Sequence, residues 1–460
     1  MKQYLKKHIS WLLSLVVIAG CLAGCGAPSA SGNSSPTPVS SGTAQPQELM
    51  KWDEMTPEEG AELTVMGGAH LTSVAEYVLK DFMEQTGIRI NFEKYSFAEY
   101  PTKMKIAMSQ GDSVPDVLIV HDEFIRQFVE AGYLMELSGI LDRENTLDVF
   151  TPVDFNGGTY GIPNQVTNQF LFMYRGDVYD ELGLSAPATF DEYFEQALTL
   201  KEAGYYAGAW DPSDPDCVNL FMNYLYMLGG EILDNEGALT LNKAEEAIAL
   251  LQKCYEAGIW HKSDQSNSDE YWTAFNAGKI AAFPGAAAHV AYYETNADPG
   301  GQGGYGTLRI APAMKFSDDG PDTYLNNTEF WAINAKTKYP NAARMVVAYL
   351  TQTVEAAQKC ANINEEGLMA RFGTGYLPGL EALAKGEGVA ESAPFGGEKA
   401  VAILAQDLLD KGDSITLPYV DTRSSEIKTI IAEVLGEMFL NGAYTPQTAA
   451  SEMRARIENI

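Results

Sequence analysis

From about residue 61 the chain switches repeatedly between runs of apolar residues and stretches with helical spacing. AELTVMGGAH (61–70) is an apolar run ending in glycines and reads as a first strand. In SVAEYVLKDFMEQTG (73–87) the apolar Val74, Tyr77, Val78 and Phe82 share a helical face, and Gly87 stops the pattern. IRINFEKY then reads as a second strand, YPTKMKIAMSQGD as a second helix and PDVLIV as a third strand. This order predicts right-handed crossovers and a parallel sheet with helices on both faces. Ligands of such sheets sit beyond the carboxyl ends of the strands, which singles out Gly67 to His70 and His121 to Phe124.

The alternation continues downstream. YGIPNQVTNQFLFMY (160–174) has polar interruptions between apolar runs, as expected of a strand passing from one lobe to another. FDEYFEQALTLKEAG, CVNLFMNYLYMLGG, KAEEAIALLQKCYEAG and DEYWTAFNAG read as helices, and so does YPNAARMVVAYLTQ. GKIAAFPG and GYGTLRIAPA read as short strands, and the C-terminal stretch from Arg423 onward as helical. No repeat of solenoid period is present.

The N-terminus follows other rules. Lys2, Lys6 and Lys7 precede the apolar run ISWLLSLVVIAG and then small residues, the order of a secretory signal. The run is shorter than the ~20 residues of a membrane-spanning helix. LAGC, ending at Cys25, resembles the lipobox of bacterial lipoproteins, in which the cysteine is acylated; IAGC, ending at Cys21, is a second candidate. Leu22, three residues before Cys25, and the linker that starts directly after it favour Cys25. The Ser, Gly and Pro residues that follow cannot bury enough surface to order the chain. Residues 1–24 are therefore expected to be a signal peptide and 25–60 a lipidated cysteine with a disordered tether. That places the folded part on the extracellular face of a bacterial cytoplasmic membrane, held by its lipid alone.

Composition narrows the partners. The chain is 46% hydrophobic and 11% aromatic, an ordinary globular make-up. Its net charge is −31; removing the three leader lysines from 31 basic residues leaves 28 against 62 acids, near −34. Such a polyanion is a poor partner for nucleic acid and accommodates a neutral or cationic ligand more readily than an anion. Cys217, Cys254 and Cys360 make neither a disulfide framework nor a metal spacing, the five histidines are dispersed, and DPSDPD lacks the Gly and Glu of an EF-hand. GGQGGYG lacks the Lys-Ser/Thr end of a phosphate loop. No cofactor, metal or catalytic residue is expected.

A family resemblance spans nearly all of the folded part. FMEQTGIRI, GDSVPDVLIV with EAGYLMEL, YGIP, FMYRGDVYDELGL with PATFDEY, GGEILDNEGALTLN, AFNAGKIAAF, WAINAKTKYPNAARMVVAYL and TPQTAASEMRARI occur in the order seen in carbohydrate-type ABC importer solute-binding proteins. The chain resembles these maltose-binding-protein-like proteins, and AFNAGKIAAF is the most specific segment. The resemblance implies a type II periplasmic-binding-protein-like α/β fold. It has two lobes, each a mostly parallel sheet flanked by helices, with the ligand between them. Lobe one would be 61–165 plus 309–375 and lobe two 166–308 plus 376–460. The protein would be a monomer that captures a sugar or oligosaccharide and delivers it to the permease subunits of an ABC transporter.

A sugar offers hydroxyls to carboxylates and amides, and C–H faces to aromatic rings. By resemblance, Asp122 and Glu123 in VHDEF fall where similar proteins hold hydroxyls, although Glu123 replaces a base of the maltose binder. The pair could equally serve as negative charge at a helix N-terminus. Gln165 and Asn168 at the crossover are polar ligand contacts or satisfy hinge backbone; His70 ends the first strand's loop as contact or structural histidine. Trp210 is a stacking ring or a core residue, and Trp331 opens a strand near the second crossing. In FPGAAAHVAYY, Ala286 and Ala287 stand where the family often has a tryptophan, leaving Tyr292 or Tyr419 to take that part. Two other classes stay open: a binder of a polyamine, peptide or metal chelate, and a surface glycoside hydrolase, for which no acid pair stands out.

Overall fold

The computed structural model describes residues 49–96, 99–110, 115–147, 152–163, 170–264, 268–324, 329–364, 367–369, 374–412, 415 and 418–460, with backbone alone for Pro101, Ser109, Gln110, Asp122 and Glu123. Nine strands are described: β1 Glu62–Gly68, β2 Arg89–Tyr95, β3 Val117–His121, β4 Val153–Phe155, β5 Gly158–Pro163, β6 Phe170–Arg175, β7 Ala282–Ala286, β8 Leu308–Pro312 and β9 Glu329–Ile333. They form a six-stranded sheet in the order β2-β1-β3-β9-β5-β4 and a three-stranded sheet in the order β7-β6-β8. Helices Ala69–Val78 and Lys80–Thr86 follow β1. The second ends where Gly87 turns left-handed at φ 72°, a conformation that costs glycine nothing.

Period-2 alternation sorts the side chains onto faces. On the first sheet Leu63, Val65, Ile119, Trp331 and Ile333 enter one core, packed by helices Ala69–Val78 and Pro340–Thr351. Met66, Leu118, Val120, Phe330 and Ala332 enter a second core with Tyr100, Met104 and Phe128. On β6, Phe170 and Phe172 face one core while Leu171 and Met173 face another. Burying each such side chain contributes roughly 1.5–3 kcal/mol, and a one-residue slip would reverse every face at once. The register is therefore strongly fixed.

Strand direction departs from the parallel expectation. β1 pairs in parallel with β2 and β3, but β9 runs antiparallel to both β3 and β5. In the second sheet β6 is antiparallel to β7 and to β8. The reason lies in the chain's path between sheets. β5 leaves the first sheet at Pro163, paired with Phe330, and β9 re-enters at Glu329, paired with His121. β6 starts at Phe170, paired with Ala286 at the end of β7, while Leu171 pairs with Pro312 at the end of β8. Strands that lead away from a crossing, β6 and β9, must oppose neighbours that run toward it. β8 also lies wholly in the second sheet, so the return to the first falls between Pro312 and Glu329 and not at residue 309.

Candidate solute-binding site at the strand crossings

The geometry gathers the carboxyl ends of β1, β3, β7 and β8 and both crossings at one edge of each sheet. Close packing holds that edge: a Cβ on Gly67 would stand 2.6 Å from Thr72 Oγ1 and 2.7 Å from Ile119 Cδ1, so any side chain there would force these two to shift. On the first-sheet side, His121 ends β3 and is the N-cap of helix Asp122–Glu130. His121 Nε2 lies 3.7 Å from Glu329 Oε1, and both side chains are buried. The ring of Tyr100 is 5.9 Å from that of His121, and its hydroxyl donates to Ile119 O. Burial pushes the Tyr100 phenol well above its ordinary range, and the charge of Glu329 adds to this.

On the second-sheet side an aromatic series leads away from the crossing. Phe170 stacks on Tyr324 at 6.3 Å and 26°, and Tyr324 lies 5.2 Å from Tyr226. Hydrogen bonds fix this stretch: Thr323 Oγ1 donates to Phe170 O at 2.9 Å, and the Phe170 N–H donates to Tyr324 O at 3.3 Å. Tyr226 lines a small pocket of about 20 Å³ with Met222, Ile232, Tyr419, Ile427 and the polar Ser424 and Lys428. The segment carrying Tyr419 is braced by Arg423, which donates to Asp421 Oδ2 at 2.6 Å and to Gly237 O at 2.5 Å. Helix Asp122–Glu130 reaches across to the same segment. The Arg126 guanidinium lies 6.0 Å from the Tyr419 ring centre, and Gln127 Nε2 donates to Thr422 O at 3.2 Å. The Tyr419 edge of this apolar pocket thus lies beside Arg126 and Gln127 of a helix whose first two residues are acids.

The residues singled out from the sequence fall into three groups. Asp122 and Glu123 are the first two residues of that helix, Tyr419 lines the pocket, and half-buried Tyr292 lies on helix His289–Asn296 just after β7. Two tryptophans lie in the core instead. Trp210 is 3% exposed, donates from Nε1 to Cys217 O at 3.1 Å and meets Phe439 and Trp260 edge-on. Trp331 sits mid-strand between Ile119 and Ile162, also 3% exposed. The stacking expectation for Trp210 is set aside, and Trp331 offers no open face. His70 donates from Nε2 to Met369 O at 2.8 Å, a contact that pins the helix after β1. Gln165, Asn168, Cys21 and Cys25 lie outside the described residues. His121 falls within the span 121–124 singled out above, and it is joined by one residue that the sequence reading missed, Glu329. Its place at the crossing end of a paired strand was the available signal, but the pairing itself could not be read from sequence.

Comparison with known proteins places this architecture. Residues 68–357 match the model of the bacterial extracellular solute-binding protein family, which covers more than half of the chain. The chain belongs to this family, whose members bind solutes and are not enzymes. The erythritol/L-threitol-binding protein of Mycolicibacterium smegmatis is 23% identical over 315 residues, 60% of this chain and 63% of that one. The chain spans less than two thirds of the length of the curated relatives it matches. Among solved structures, a Thermotoga lettingae solute-binding protein bound with α-D-tagatose superposes with a TM-score of 0.69 at 18% identity, over 87% of this chain and 99% of that one. Maltose-bound T. maritima MalE3 gives 0.67 at 19%, over 87% and 99%. The fold is that of the two-lobed type II periplasmic binding proteins. Among the described residues no helix is long and apolar enough to cross a membrane.

Proposed function

We propose that this protein captures a polyol, sugar or short oligosaccharide between its two lobes and presents it to the permease of an ABC importer. The observation that carries the reading is the pairing across the crossing edge: a tyrosine-edged apolar pocket beside a helix headed by Asp122 and Glu123. Carboxylates accept from hydroxyls, and rings cover C–H faces. The ligands named for these relatives, erythritol or L-threitol, α-D-tagatose and maltose, are all hydroxylated neutral solutes. Tyr419 and Tyr292 would supply the apolar face, and Asp122, Glu123, Gln165 and Asn168 the polar contacts. Residues 61–163 with the chain from Glu329 to about 375 form lobe one in this reading, and the remainder lobe two. The signal at 1–24 would be removed and Cys25 acylated, so that a monomer is tethered by 25–60 outside the cytoplasmic membrane.

A thermal-shift screen of the chain from residue 46 tests this, with erythritol, D-tagatose, maltose and putrescine as probes. A ligand that binds only the folded state at a hundred times its Kd stabilises by about 2.7 kcal/mol. A shift with a neutral hydroxylated probe is expected. A shift with putrescine alone would transfer the site to cations, in keeping with its acids.

A further inference from the structure

The first-sheet side holds one buried acid that the architecture does not explain. Glu329 opens β9, the strand by which the chain re-enters the sheet, and is 6% exposed. Its Oε1 is 3.7 Å from His121 Nε2, beyond ordinary hydrogen-bond reach, and its Oε2 has no hydrogen-bond partner. The nearby Tyr100 hydroxyl is committed to the main-chain carbonyl of Ile119. Among the described residues His121 is the single ion-pair partner of Glu329. A buried carboxylate oxygen without a donor destabilises the fold, and residues kept at such a cost cluster where a ligand completes the set. The rest of β9 shows what stability alone selects: Phe330, Trp331, Ala332 and Ile333 are all apolar and buried. The acid stands at the crossing end of the strand, where ligands of this architecture sit.

We propose that Glu329 is a ligand-binding residue, its unpartnered Oε2 accepting a hydrogen bond from a hydroxyl of the captured solute. His121, 3.7 Å from the other oxygen, flanks the carboxylate on that side. The residue belongs to the crossing, so rotation of the lobes about the crossing strands uncovers it to an entering solute and closure seals the bond from water. This inference rests on the capture of a hydroxylated solute proposed above. It adds a contact from the floor of the first lobe to those from the helix that follows β3.

The test compares wild type with E329Q and E329L, reading the ligand-free melting temperature and the affinity for erythritol, D-tagatose and maltose by calorimetry. Both variants remove the desolvated charge, so their ligand-free melting temperatures should equal or exceed that of wild type. Affinity for whichever probe binds wild type should fall about ten- to a hundredfold in E329Q, and further in E329L. E329Q binding as tightly as wild type would overturn the inference while leaving the capture reading intact. A fall in the ligand-free melting temperature of both variants would also overturn it, assigning Glu329 to a structural pair with His121. If wild type binds none of the three probes, the capture reading fails, and this inference with it.

Discussion

The two sides of the crossing edge are built from different chemistry. The first-sheet side buries an imidazole and a carboxylate 3.7 Å apart beneath a helix that begins with two acids. The second-sheet side is Phe170, Tyr324, Tyr226 and Tyr419, ending in an apolar pocket. Polar contacts are directional and reward one orientation of a ligand; apolar faces contribute area and tolerate several. The asymmetry suggests a division of labour in which the first lobe selects a hydroxyl pattern and the second supplies a general seat. That division can be broken by experiment.

The largest effect expected is on folding. Trp210→Ala, deep in the core of the second-sheet side, should cost ~3–5 kcal/mol of stability, read by denaturant unfolding. The affinity of the protein that remains folded should not change. Lost affinity at an unchanged melting temperature would move Trp210 from the core into the seat. Next come the two walls themselves. Asp122→Ala should weaken binding about ten- to a hundredfold and alter the order of preference among erythritol, tagatose and maltose. Tyr419→Ala, losing a contact worth about 0.5–1.5 kcal/mol beyond its area, should weaken all of them by a few-fold and leave the order alone. The reverse outcome would exchange the roles of the lobes.

The smallest effect sharpens the comparison through pH. Glu294, on the helix that carries Tyr292, accepts from Ser392, and burial raises its carboxyl above the usual carboxylate range. An acid whose folded pKa is raised favours the fold while protonated, and that contribution is lost as pH rises through the folded pKa. Glu294→Gln should therefore raise the melting temperature modestly at pH 7. The gain should fade as the pH is lowered below the ordinary glutamate range. A constant difference across pH would mean that the buried charge is not its source.

Much of this was legible in the sequence, for physical reasons. A strand with one apolar set per face, such as β1, and a helix closed by glycine, such as Ala244–Ala257 before Gly258, announce themselves through period and cap. Direction does not: a period-2 pattern reads the same both ways, so the opposed run of β6 and β9 needed the pairing. Helix Leu377–Ala384 lacks the polar contrast that marks a surface helix, with Glu381 its one charged residue and neighbours covering much of it. Trp210 was ambiguous because a core ring and a stacking ring are the same residue type. Glu329 was invisible because an acid in a chain of 62 acids reads as solvated surface until its burial is known.

The late position of β9 also has a consequence for how the molecule is made. β3 pairs with it from Val117 to Ile333, so the centre of the first sheet waits for more than two hundred residues of chain. Such long-range pairing closes slowly, and synthesis from the N-terminus leaves an apolar β3 with one edge unsatisfied throughout that interval. An exposed apolar edge is a template for pairing with another chain. A truncated product ending before Glu329 would therefore aggregate through β3, and folding would become committed only when the last crossing strand slots between β3 and β5.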